Sequence, residues 1–135
     1  MQLTVKLLMA LIISLPTSSA YAATGSEWIV LASANSMKWE GRAGSWTQSK
    51  NNAGQAVAVA SGRVTDAKTS EITFERWYVP ITACRAQSGK VTTTDMTGNF
   101  KFDNDFVLKG GNVASSIADM LCSFVIANDG KGLSN

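Results

Sequence analysis

The chain contains no histidine. That removes the commonest general base near neutral pH, and with it the Ser-His-Asp and Cys-His arrangements of nucleophilic catalysis. Only two cysteines occur, Cys84 and Cys122. A zinc site needs four ligands and a redox pair usually shows C-x-x-C spacing, so neither metal nor redox chemistry is expected of them. Charge is sparse as well: 16% of residues are charged and the formal net charge is +2. A nucleic-acid binder normally concentrates a strong basic excess, so nucleic acid is not an expected partner. No G-x-x-x-x-G-K followed by Ser or Thr is present. "SGK" (Ser88–Lys90) and "GKG" (Gly130–Gly132) read as a hairpin turn and a tail.

Apolar runs are short. "LLMALIISL" (Leu7–Leu15) falls well below the ~20 residues needed to cross a bilayer. It follows Lys6, is broken by Pro16, and leads to small residues spaced Ala20-x-Ala22. This is the layout of a secretory signal peptide, expected to span residues 1–22 and to be cleaved after Ala22. No Arg-Arg pair precedes it, which favours the general export route over the twin-arginine one. No cysteine lies near the cleavage site, so no lipid anchor is expected. Residues 23–128 are then expected to form one domain with a single core, and residues 129–135 a flexible tail. The expected location is periplasmic or secreted, with no membrane span after signal removal.

An exported domain meets an oxidising compartment, where two thiols in a small fold usually pair. Cys84 and Cys122 are therefore expected to form a structural disulfide. Closing a loop of that length is worth about 4 kcal/mol in chain entropy.

The middle of the chain reads as strands. "EWIVLASA" (Glu27–Ala34) is apolar and partly β-branched, and "MKWEGR" alternates Met37, Trp39 and Gly41 with Lys38, Glu40 and Arg42. After the turn cluster "NNAG", "QAVAVASGRVT" (Gln55–Thr65) alternates small and β-branched residues, with Gly62 as a candidate bulge. "EITFERWYVPITAC" (Glu71–Cys84) is the longest such run. It sets Ile72, Phe74, Arg76 and Tyr78 on one face and Thr73, Glu75, Trp77 and Val79 on the other. Pro80 places its far end at a sheet edge or a bulge. "AQSG" (Ala86–Gly89) turns the chain, so that "KVTTTDM" (Lys90–Met96) pairs back as a hairpin candidate. Thr97-Gly98-Asn99 is the next turn, and "NFKFDNDFVL" after it alternates Phe100 and Phe102 with Lys101 and Asp103 and bends near Asn104.

Only the last segment has helical spacing. Asn112 is a good N-cap, Val113, Ile117, Leu121 and Phe124 form an apolar stripe, and Ser115, Ser116, Asp119 and Ser123 fall opposite. Cys122 lies beside the stripe, so the bridge is expected to fasten the helix to the strand end at Cys84. The expected fold class is α+β: an antiparallel sheet of about five or six strands with one C-terminal helix packed on one face.

An early strand carrying Trp28, the run "FERWYVPITAC" ending in Cys84, Gly89-Lys90 opening the next strand, and "VASSIADMLC" ending in Cys122 together resemble the surface-adhesin protein E family of Gram-negative bacteria. The resemblance covers most of the chain after residue 22. It implies a sheet with one packed helix, a Cys84–Cys122 disulfide, and binding of host proteins at the cell surface.

Candidate chemistry is thin. Asp103 and Asp105 in "FDNDF" share a side if extended and, with Asn104 and backbone oxygens, form a candidate Ca²⁺ site or hydrolytic pair. No acidic residue follows at the loop-end position of an EF-hand, and a solvated turn is the expected reading. Glu71 with Glu75 is equally unspecific. No catalytic residue, cofactor or metal site is expected, and the chain is not expected to be an enzyme. Of the four tryptophans, Trp28 and Trp77 are expected in the core. Trp39, Trp46, Tyr78 and Arg76 are the candidate ligand contacts, since Trp, Tyr and Arg dominate interface hot spots. The expected function is an exported non-enzymatic interaction domain whose ligand is a host or envelope protein. The alternatives are a structural envelope protein or inhibitor docking through a sheet edge, and a small carboxylate-dependent hydrolase.

Overall fold

A computed structural model describes residues 27–129. The expected signal peptide and most of the expected tail lie outside the described residues. Seven strands form one antiparallel sheet: β1 (Trp28–Ala34), β2 (Met37–Arg42), β3 (Thr47–Lys50), β4 (Ala56–Asp66), β5 (Ile72–Pro80), β6 (Ser88–Thr94) and β7 (Phe100–Val107). Two helices complete it, a short α1 (Ile81–Ala86) and the C-terminal α2 (Val113–Asp129). The α+β arrangement is the one expected, with more strands than expected.

The sheet is a meander in the order β1-β2-β4-β5-β6-β7, with β3 also on β4. The first half of β4 pairs with β3 and the second half with β2. β2 and β3 are thus one strand interrupted at residues 43–46. The interruption is stabilised locally: Ser45 Oγ accepts from Ser61 N–H at 3.0 Å and donates to Arg42 O at 2.8 Å. A backbone donor that lost its strand partner is satisfied in this way. Asn35 and Ser36 both adopt positive φ, 52° and 68°, the two-residue turn that matches the twist of a hairpin.

Cross-strand partners share a face, so the registers assign the two sides. Ala58, Ala60, Trp77, Val79, Val91 and Phe106 meet Ala114, Ile117, Ala118, Leu121 and Val125 of α2 in the core. Trp77 is fully buried (0% exposed). Gly62 is not a bulge, because its register with Gly41 and Glu75 is regular. It is the slot for Trp77: a Cβ at Gly62 would lie 2.0 Å from Cη2 of that indole.

Two real bulges lie elsewhere. The β1–β2 register shifts between Val30 and Ala32, and the β6–β7 register shifts between Thr93 and Thr94. The first turns Leu31 inward against Gly41 and puts Trp28 and Val30 on the uncovered face, opposite Arg42 and Glu40. Trp28 therefore does not join the core as expected. The strand holding it changes face at the bulge.

The strand run ends at Pro80 rather than at Cys84. Pro80 caps α1, and Gln87 closes that helix in the left-handed conformation (φ 65°). Proline pre-sets the φ of a helix start and lacks the N–H that would be orphaned there. Cys84 and Cys122 form the expected disulfide, with Cα atoms 5.2 Å apart. It joins helix to helix rather than helix to strand end. α2 starts at its expected cap, Asn112 Oδ1 accepting from Ser115 N–H at 2.7 Å. Ser115, expected on the outer side, is buried, and its Oγ accepts from Val107 N–H at 3.3 Å. Phe124, expected in the inward stripe, is exposed and packs on Trp46, ring centroids 5.1 Å apart. No bend occurs at Asn104; β7 runs through it.

Candidate functional site

α2 covers one face of the sheet and leaves the other open. The outward row of β5 carries Ile72, Phe74, Arg76 and Tyr78, as alternation requires. Phe74 is 49% exposed, and its ring lies 6.1 Å from that of Trp28 on the far side of the sheet face. Arg63 stacks on Trp28 with its guanidinium carbon 4.3 Å from the ring centroid, while its Nε donates to Glu40 Oε1 at 2.8 Å. Glu40 is buried, so the pair is held between strands, and Arg63 presents a fixed cationic plane to the indole. Arg76 has no carboxylate partner among the described residues. At the other end of the row Tyr78 lines a concavity of about 500 Å³ with Lys50, Val57, Thr92, Thr94 and Phe100.

The four candidate ligand contacts do not share a surface. Tyr78 and Arg76 are two residues apart on the open face, both half-buried. Trp39 belongs to the covered face. It borders a second cleft, about 400 Å³, between the sheet and the first turns of α2. Trp46 sits in the β2–β3 interruption, where its Nε1–H donates to Leu121 O at 2.9 Å. That residue fastens α2 to the sheet. The open face instead gathers Phe74, Trp28 and Arg63, which sequence reasoning did not select. The period-two pattern of β5 already placed Phe74 beside Arg76 and Tyr78. No comparable signal reported Trp28, because a bulge brings it there.

Asp103 and Asp105 stand on β7, not in a turn, and each is engaged by a β6 neighbour. Thr92 Oγ1 donates to Asp103 at 2.6 Å, and Lys90 Nζ pairs with Asp105 at 2.6 Å. No group of three or more metal-ligating side chains occurs among the described residues. No helix among them is long and apolar enough to cross a membrane. Compared with protein-family models, curated proteins and solved structures, the chain matches none.

Proposed function

We propose that the protein is an exported, non-enzymatic interaction domain that binds another protein through the open face of its sheet. The observation that carries this reading is the row Phe74–Arg76–Tyr78 with Trp28 and Arg63 beside it. These are the residue types that contribute most at protein interfaces, and here a rigid sheet holds them on one side. The intramolecular disulfide suits an oxidising compartment, periplasmic or extracellular. The resemblance to the surface-adhesin protein E family supports a host protein as the ligand.

A second reading rests on a separate observation. β7 ends the sheet with Phe100, Phe102 and Val107 exposed, an edge open to strand addition by a bacterial envelope partner. A photo-crosslinking residue at Phe74, and another at Val107, separates the two in intact cells exposed to host extracellular proteins. Crosslinks from Phe74 to a host protein, lost in an Arg76→Ala background, support the adhesin-like reading. Crosslinks from Val107 alone to an envelope protein support the second. Silence at both positions overturns binding through either surface.

A further inference from the structure

The cleft on the covered face lies on the opposite side of the sheet from the proposed protein-docking row. We propose that it binds a neutral saccharide of one or two rings. Its volume of about 400 Å³ falls within the ~300–1,000 Å³ typical of small-molecule sites. Trp39 on β2 and Phe102 on β7 border it, Phe102 being 44% exposed. The negative face of an aromatic ring suits the C–H face of a pyranose.

Among the polar residues that line the cleft Asn104 and Asn112 are exposed, and two others are deeply set. Glu75 is 4% exposed and Thr93 is 3% exposed. The Thr93 hydroxyl has no hydrogen-bond partner among the described residues. A buried hydroxyl left unpaired is costly, so its presence calls for an explanation. A ligand hydroxyl supplies one.

Glu75 is positioned rather than free to swing. Trp77 Nε1–H donates to its Oε1 at 2.9 Å, and Lys101 Nζ reaches Oε2 at 3.3 Å. Lys101 does so from the β6–β7 bulge, where it has no cross-strand partner. An ionised carboxylate offers about four acceptor sites, so two further ligand O–H groups can be received. Charge selects the ligand class. Lys101 offsets Glu75 within the cleft, while the Lys90–Asp105 pair, one register step from the inward Val91–Asn104 pair, stands on the other face of β6 and β7. A cation would meet Lys101 and an anion would meet Glu75. A neutral ligand rich in hydroxyl donors and with an apolar ring face meets neither obstacle.

The test uses the purified, disulfide-bonded protein and glucose, galactose, N-acetylglucosamine, maltose and N,N′-diacetylchitobiose as probes, with glucuronate and spermidine as charged comparators. Tryptophan fluorescence and saturation-transfer NMR are read. The expected result is saturable binding of at least one neutral sugar. Thr93→Val and Trp39→Ala should each weaken it about tenfold, while Arg76→Ala on the opposite face leaves it unchanged. Should Trp39→Ala fail to fold, the near-isosteric Thr93→Val decides alone. No saturable binding of any neutral sugar, binding confined to a charged comparator, or binding indifferent to Thr93→Val overturns the assignment. Because Arg76→Ala disables only the docking row, failure of one site is distinguishable from failure of the other.

Discussion

A methyl group added at Gly62 has nowhere to go: the nearest atoms are Cη2, Cζ3 and Cζ2 of Trp77, at 2.0, 2.3 and 2.6 Å. Trp77 is fully buried and donates to Glu75, so it cannot retreat without vacating the core and orphaning two polar groups. Gly62→Ala is expected to destabilise by about 3 kcal/mol or more, the upper end for overpacking. Urea denaturation should show a lower midpoint with an unchanged slope. A residue on the surface shows the opposite case. Asp95 closes the β6–β7 turn by accepting from Thr97 Oγ1 at 2.7 Å and from the N–H groups of Thr97 and Asn99, each at 2.9 Å. Those bonds, led by the Thr97 hydroxyl, hold its carboxyl down at about 2. A depressed carboxyl contributes stability above its unfolded value near 3.9 and loses it as pH falls through the folded value. The amide resonances of Thr97 and Asn99 are therefore expected to stay constant down to about pH 4 and to move only toward about pH 2. A midpoint near 4 would show the turn to be open in solution.

At the level of elements, the alternation of polar and apolar residues carried most of the information. It placed β2, both faces of β5, the return of β6 along β5, the turn at Thr97-Gly98-Asn99 and the cap of α2 at Asn112. What it could not carry was the position of the extra residues. Leu31 and Lys101 look like ordinary strand positions, yet each is a bulge, and each redirects a side chain that matters. Trp28 reaches the open face only because of the first, and Lys101 reaches Glu75 from the second. Ser115 misled for another reason. A serine on a helix reads as outward-facing unless its backbone donor is known, and that donor, Val107 N–H, comes from the preceding strand. The break between β2 and β3 was also silent in the sequence, although Trp46 within it ties the sheet to α2. Trp46→Phe keeps a ring against Phe124 but removes the N–H that reaches Leu121 O. It is expected to cost about 1 kcal/mol, the usual worth of one such bond. Hydrogen exchange in the second half of α2 should speed up, while exchange in β4 and β5 changes only with global stability.

Across the whole molecule, one helix must hold down a seven-stranded sheet, and it is fastened in its first turns and again at its middle. Near its start, Asn112 caps it and Asp119 accepts from Lys109 N–H at 2.8 Å. Farther along, Trp46 and the Cys84–Cys122 bridge hold it. Both cysteines are fully buried, so the bridge lies within the core rather than across its rim. The bridge spans a sequence separation of 38, a loop whose closure in the unfolded chain is worth about 4 kcal/mol. A domain of this size has only about 5–15 kcal/mol in all. Replacing both cysteines by alanine is therefore expected to remove a quarter to most of the stability, read as a fall in the urea midpoint. The candidate surfaces separate the possible consequences. The row on β5 depends on strand pairing, whereas the cleft depends on α2 for Val113, Ala114 and Ile117. In a double alanine variant held below its melting point, any saccharide binding in the cleft should weaken before protein binding at Phe74 and Arg76 does. Equal loss of both would mean that helix and sheet unfold as one unit and that the bridge serves the fold alone.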